Sequence, residues 1–280
     1  MNKLTSKYYL VGIKGTGMSS LALMLLDLGY DVIGCDVNNY YFTEDKLIAR
    51  NIIIEDISKA KVNKDYIYII GNAYDSTYEI INDIIEQKIE YYYYHDYIGN
   101  KLNKEIFAVS GTHGKTTTTA MTSHVLNQIK GINYLIGDGT GYANPQNEFF
   151  ALESCEYKRH FLSYQPYYTI ILNIDLDHVD YFKDINDVIN AYEEFANSST
   201  KMIIANGDDP NVRKMNIKKD ISYFGLKDNN DIQLKNFYFS MNLPPAKGIK
   251  KRPGWGVLWI YYSMLVVMMS PYWPASSPPI

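Results

Sequence analysis

Cysteine is scarce in this chain: Cys35 and Cys155 are the only two. Two thiols cannot build a disulfide-dense secreted scaffold or a four-cysteine zinc site. A basic excess is missing too. Lys and Arg number 27 against 31 Asp and Glu, a formal net charge of −4. No global positive field draws in nucleic acid. Met1 to Leu10 is polar and then strand-like, without a signal-peptide pattern, so the expected compartment is the cytosol (cytoplasmic). A membrane-spanning helix needs about 20 apolar residues. The candidate run, Trp255 to Met269, has 15, and no membrane anchor is expected.

Charge is also missing from one end. No acidic residue occurs from Leu243 to Ile280, and no charged residue follows Arg252. All three tryptophans and seven of the ten prolines lie after Asn242. So abrupt a break suggests foreign sequence, such as a frameshift or a fused end. Residues 243–280 are expected to be a divergent tail that forms no domain.

The chain as a whole has a globular balance, 46% hydrophobic and 21% charged. At 280 residues it has room for about two domains. The 27 tyrosines reflect compositional bias rather than an aromatic binding surface, and Tyr91 to Tyr94 is expected to be strand and packing. Tyr8 to Val11 is a short apolar run ending at Gly12. Met18, Leu21, Ala22, Leu25 and Leu26 then recur at helical spacing up to Gly29. Asp31 to Gly34 and Tyr66 to Ile70 predict strands, and Tyr78 to Gln87 a helix. A second series begins at Ile106. Strands are expected over Ile106 to Ser110, Phe149 to Leu152, Thr169 to Asn173 and Met202 to Asn206, with a helix over Ile185 to Ala196. Such alternation implies an α/β fold of parallel sheets covered on both faces, divided near Asn100 to Glu105.

Two glycine loops follow strands. In the first, Gly12-Ile13-Lys14-Gly15-Thr16-Gly17-Met18-Ser19, glycine lets backbone approach a pyrophosphate at a helix N-terminus. Asp36, at the end of the next strand, stands where a carboxylate commonly meets a ribose hydroxyl. The spacing is G-x-x-G-x-G rather than the dinucleotide G-x-G-x-x-G. A nicotinamide enzyme and a plain βα turn both stay open at this loop. The second, Ser110-Gly111-Thr112-His113-Gly114-Lys115-Thr116-Thr117, is a phosphate loop, although the first glycine of the standard pattern falls at Val109. Backbone N–H groups of Gly111 to Lys115 would cradle phosphates, Lys115 would reach the β- and γ-phosphates, and Thr116 would hold Mg²⁺.

Downstream acids suit such a site. Glu153 ends a strand, and His178 lies between Asp177 and Asp180 just past another. His178 is open to a structural or a ligating role on residues alone. Asp208-Asp209-Pro210 predicts a helix N-cap. Cys155 has no base partner and is expected to be packing.

Those two loops, with Leu135-Ile136-Gly137-Asp138-Gly139-Thr140-Gly141, Glu153-Ser154-Cys155-Glu156-Tyr157-Lys158-Arg159-His160-Phe161-Leu162 and Asn173 to Tyr181, occur in an order that resembles the Mur ligases from about Lys7 to Met241. The Gly17-Met18-Ser19 loop and the Glu153 to Tyr157 segment point to the alanine-adding branch. The resemblance implies a Rossmann-like UDP-sugar-binding domain over 1–104 and an incomplete P-loop ATP-binding central domain over 105–242. The family's closing third domain has no counterpart in 243–280.

It also implies an ATP- and Mg²⁺-dependent amide-forming ligase of peptidoglycan synthesis acting on UDP-N-acetylmuramate and L-alanine. Activity of this chain is expected to be impaired, because domain closure positions the reactants. ATP would lie on Gly111, Thr112, His113, Gly114, Lys115, Thr116 and Thr117. The UDP-sugar would lie on Gly15, Thr16, Gly17, Met18, Ser19, Asp36, Arg159 and His160. Thr116, Glu153 and His178 would hold the metal, and Lys115 and His178 would be catalytic. Two alternatives stand beside this: a non-catalytic UDP-sugar- and ATP-binding fragment, and a sibling ligase that adds a whole peptide to the same sugar.

Overall fold

The computed structural model describes residues 6–102 and 104–233, and the tail expected over 243–280 lies outside the described residues. The expected α/β architecture of two consecutive parallel sheets is the one observed. The first sheet contains β1 (Lys7–Val11), β2 (Asp31–Asp36), β3 (Ile53–Asp56), β4 (Tyr66–Ile70) and β5 (Tyr91–Tyr93), in the order β3-β2-β1-β4-β5 and parallel throughout. Its helices are α1 (Thr16–Asp27), α2 (Glu44–Ala49), α3 (Glu79–Glu86) and α4 (Tyr94–Lys101). Tyr8 to Val11 are all buried, as in a strand covered on both faces.

The second sheet comprises β6 (Glu105–Ser110), β7 (Ile132–Ile136), β8 (Thr140–Tyr142), β9 (Phe149–Glu153), β10 (Tyr168–Ile171), β11 (Met202–Asn206), β12 (Ile221–Gly225) and β13 (Ile232–Gln233). Its order is β13-β12-β11-β10-β6-β9-β7-β8, and only β8 runs antiparallel to its neighbour. Helices α5 (Lys115–Asn127) and α6 (Ile185–Asn197) accompany it. Asp184 caps α6 by accepting from the Asn186 and Asp187 N–H groups.

Both glycine loops leave a strand flanked by partners on two sides: β1 lies between β2 and β4, and β6 between β9 and β10. Such switch points open a crevice at the carboxyl ends of the strands.

Helix α1 is buried along Met18 to Leu25 on every face, because it lies between its own sheet and the β7–β8 edge of the second. Leu21 and Leu25 are fully buried, and each such side chain stabilises the fold by about 1.5–3 kcal/mol. The polar positions of α1 are paired. Ser20 Oγ donates to Ile136 O at 2.8 Å. A β-carbon at Gly141 would lie 1.8 Å from the Ser20 carbonyl oxygen, so glycine there permits the backbones to meet. One apolar cluster runs from Tyr8 and Leu21 through to Phe161 and Tyr192 and joins the two sheets.

Some expectations shift. The strand expected over Thr169 to Asn173 ends at Ile171, and the Asn173 amide instead pairs with the backbone of His113. Past Asp208-Asp209-Pro210 there is only a 3-10 turn, Val212–Lys214. The Asp209 carboxylate still caps it, accepting from the Asn211 and Val212 N–H groups.

Candidate functional site

The β6–α5 loop is built by glycine conformation and a neighbouring asparagine. Gly114 has φ +85 and Gly111 φ +146, values that a side chain disfavours. A β-carbon at Gly111 would also meet Leu172 Cβ at 2.8 Å. Asn173 fastens the loop crest, its Oδ1 accepting from His113 N–H at 2.8 Å and its Nδ2 donating to His113 O at 2.9 Å. The N–H groups of the first turn of α5 then have no intrahelical acceptor and face outward with the positive end of the helix dipole.

Charged side chains converge here. Lys115 Nζ donates to Gly111 O at 2.6 Å and to Glu156 Oε2 at 3.0 Å. Thr116 Oγ1 donates to Glu153 Oε1 at 3.1 Å, and Gly137 N–H donates to Glu153 Oε2 at 2.7 Å. Burial pushes the Glu153 carboxyl above its ordinary range, against the opposing pull of the Gly137 and Thr116 hydrogen bonds. His178 Nε2 lies 3.9 Å from Glu156 Oε1. The His178 backbone is left-handed, with φ +51, and its ring leans on Tyr157 at 4.6 Å. Ligand atoms of Glu156, Asp177 and His178 lie within 4.8 Å of one another.

The expected pair Glu153 and His178 is therefore linked through two neighbours of the loop. Glu153 touches Thr116, and His178 approaches Glu156, which holds Lys115. His113 presents an exposed ring 3.9 Å from Asp175. Thr112 is tied into the loop by accepting from Asp175 N–H at 2.8 Å. Thr117 occupies the exposed side of the first turn.

The first loop uses its polar groups differently. Gly12 has φ +81, and a β-carbon there would strike the Tyr74 ring at 2.3 Å. The Asp36 carboxylate is buried and accepts from Lys14 N–H at 2.7 Å, Val37 N–H at 2.8 Å and Tyr74 OH at 2.5 Å. Asp36, expected to meet a ribose, thus has its oxygens occupied by its own loops. Lys14 is buried as well, with its ammonium 2.9 Å from Glu44 and donating to Val37 O and Asn39 O. Gly15 caps α1. Met18 lies in the core, and Ser19 Oγ is 3.5 Å from Gly139 O.

Thr16 and Gly17 open onto a cleft of about 450 Å³ between the two sheets. Across it stand Gly137, Glu153, Tyr157 and His160, so the cleft joins the first loop to the acid end of the second. Arg159 is turned away from it and pairs with α6, at 2.6 Å from Asp187 and 3.8 Å from Glu194. Cys155, expected to be packing, is exposed and lines the cleft. It lies two residues past Glu153, the last residue of β9, at the strand end that faces this space. Glu156 had no assigned role in the sequence. Its position in the Glu153 to Tyr157 segment was visible, but its partner Lys115 lies 41 residues away.

Two family models match this chain. The Mur ligase family, catalytic domain, matches residues 7–105, and the Mur ligase middle domain matches residues 109–245. Among solved structures, UDP-N-acetylmuramate:L-alanyl-γ-D-glutamyl-meso-diaminopimelate ligase from Neisseria meningitides is 22% identical with a TM-score of 0.67, over 79% of this chain and 78% of that one. UDP-N-acetylmuramate–alanine ligase MurC from Thermotoga maritima is 21% identical with a TM-score of 0.75, over 95% of this chain and 65% of that one. MurF ligase from the same organism, in complex with ADP, is 14% identical with a TM-score of 0.53, over 97% and 64%. These likenesses are of fold, and the chain spans less than two thirds of the length of the latter two. No helix among the described residues is long and apolar enough to cross a membrane.

Proposed function

The chain belongs to the Mur ligase family, and from that premise we propose that it is an ATP-dependent carbon–nitrogen ligase of peptidoglycan synthesis that joins L-alanine to UDP-N-acetylmuramate. One observation carries this reading. At the start of α5, Lys115 bridges the loop carbonyls and the buried Glu156, beside the Thr116–Glu153 pair. An ammonium, a helix N-terminus and acids on one rim suit a nucleoside triphosphate and its counter-ion. A structure that shares this fold is of a MurF ligase with ADP.

The residues would act as follows. The first-turn N–H groups of α5 and the Lys115 ammonium hold the β- and γ-phosphates and stabilise negative charge as it shifts towards ADP. The lactyl carboxylate of the sugar attacks the γ-phosphorus, ADP leaves, and an acyl phosphate forms. The amine of L-alanine then attacks the acyl carbon and expels phosphate. No protein nucleophile is needed.

Hard divalent cations favour oxygen ligands. Thr116, Glu153, Glu156 and Asp177 offer oxygens and His178 a nitrogen on the same rim, a donor set that fits Mg²⁺. Bound there, the ion would neutralise phosphate charge. The cleft running from Thr16 and Gly17 to Glu153 has the placement to hold the UDP-sugar with its carboxylate towards the triphosphate.

Phosphate release by the full chain tests the reading. Release that requires ATP, UDP-N-acetylmuramate and L-alanine together supports it. Release with L-alanyl-γ-D-glutamyl-meso-diaminopimelate but not L-alanine assigns the peptide-adding reaction instead. Binding of ATP and UDP-sugar without release assigns a non-catalytic role.

A further inference from the structure

Away from the phosphate loop, three side chains from three separate segments meet where Asn72 and His160 line the cleft. Asn72 follows β4, His95 lies on α4, and His160 lies in the 3-10 turn Tyr157–Ser163. The His95 and His160 rings stack at 4.3 Å and 14°. Asn72 lies between their Nδ1 atoms, with Oδ1 2.8 Å from His95 and Nδ2 3.0 Å from His160. The turn that carries His160 is strained. Lys158 and Arg159 both adopt left-handed backbone, φ +51 and +57, which surrounding structure must hold in place. The Arg159 pairing with Asp187 and the Arg159 N–H bond to Glu156 O at 2.8 Å supply that hold.

One amide offers one acceptor and one donor face. Its two histidine partners must therefore carry their protons on opposite nitrogens. His95 donates from Nδ1 to Asn72 Oδ1. His160 accepts at Nδ1 from Asn72 Nδ2, which leaves its proton on Nε2. Among the described residues, His160 Nε2 makes no hydrogen bond, and His160 lines the cleft.

We propose that Asn72 and His95 are positioning residues that fix the tautomer of His160, so that its Nε2–H stands in the cleft as a neutral donor to an acceptor oxygen on the sugar portion of the nucleotide sugar. This deepens the proposed function and rests on it for the identity of the ligand. The charged groups nearby are Asp96, 3.7 Å from His95 Nε2, and Lys158, whose charge, after burial and the His95 ring, helps keep the His160 ring neutral. Burial lowers His160 to about 4 and lowers His95 as well, which agrees with two neutral rings at pH 7.

Long-range ¹H–¹⁵N correlation on the ¹⁵N-histidine-labelled full chain reads the tautomers before any ligand is added. The expected spectrum has His160 protonated at Nε2 and His95 at Nδ1. Like tautomers, or His160 protonated at Nδ1, overturn the proposal. Asn72→Asp leaves only acceptors between the rings, so His160 should change tautomer and UDP-N-acetylmuramate affinity should fall roughly tenfold or more. ATP affinity reports on folding of this variant. His160→Gln keeps an N–H near the Nε2 position and should bind within a few-fold of wild type, whereas His160→Ala should not. Equal UDP-sugar affinity in Asn72→Asp, or equal loss in the Gln and Ala variants, contradicts the positioning role. The expected tautomers in a wild-type chain that takes no UDP-sugar would overturn the functional reading and, with it, the ligand named here.

Discussion

The loop after β1 and the loop after β6 leave their sheets at the same kind of point, and each carries a lysine, but the two lysines face different work. Lys14 is enclosed by Glu44 and two loop carbonyls, and so holds the segment after β2 in place. Lys115 bridges loop carbonyls to Glu156 on the rim where Glu153, Asp177 and His178 also gather. Topology gives both loops outward-facing backbone at a helix N-terminus. The ionisable groups around them decide which loop can manage moving charge. The first offers backbone and a cleft wall, and the second offers an ammonium among acids. A shared fold position therefore does not imply a shared role.

The sharpest way to break this contrast is to remove each lysine. Lys115→Met should lower ATP affinity and any turnover by about 10²–10³-fold, and it should also lower the melting temperature, because it leaves the buried Glu156 without its ammonium partner. Calorimetric titration beside thermal melts checks both. Gly141→Ala should act on neither loop directly but on the joint between the sheets. Its β-carbon would fall 1.8 Å from a backbone oxygen, and the cost should be about 3 kcal/mol or more in a denaturant melt. Lys14→Met leaves Glu44 without its buried partner. It should destabilise the chain by on the order of 3 kcal/mol without weakening ATP.

How far these assignments were visible beforehand differs between the loops. Glycine spacing after an apolar run marked both, since a strand followed by left-handed backbone needs glycine in sequence. What surrounds them was less visible. Asp36 has the position of a ribose-binding acid, yet Lys14, Val37 and Tyr74 occupy its oxygens, and no local pattern records that. Glu156 and Lys115 meet only because β9 and β6 are neighbours. Asn72, His95 and His160 come from segments that carry no shared motif. Helix α4 begins at Tyr94, directly out of β5, where four tyrosines give no helical period. The antiparallel β8 depends on a turn at Gly139, φ +80, between strands too short to show alternation.

A smaller effect sharpens the second loop. The Glu153 carboxyl is raised by burial, so the folded chain binds its proton more readily than the unfolded chain. That contribution to stability is present below the ordinary glutamate range and is lost as pH rises through the raised value. In melts without divalent cation, Glu153→Gln should therefore gain stability relative to wild type near neutral pH, and the gain should vanish in acid. A difference that is constant with pH would mean the carboxylate is not held against its charge.

The central claim is that the turn between β6 and α5 grips the triphosphate. Calorimetric titration of ATP and Mg²⁺ into the full wild-type chain, Lys115→Met and Lys14→Met tests it most directly. Binding that survives in Lys14→Met and disappears in Lys115→Met is the predicted result. Binding that persists in Lys115→Met, or is lost only with Lys14, would contradict it.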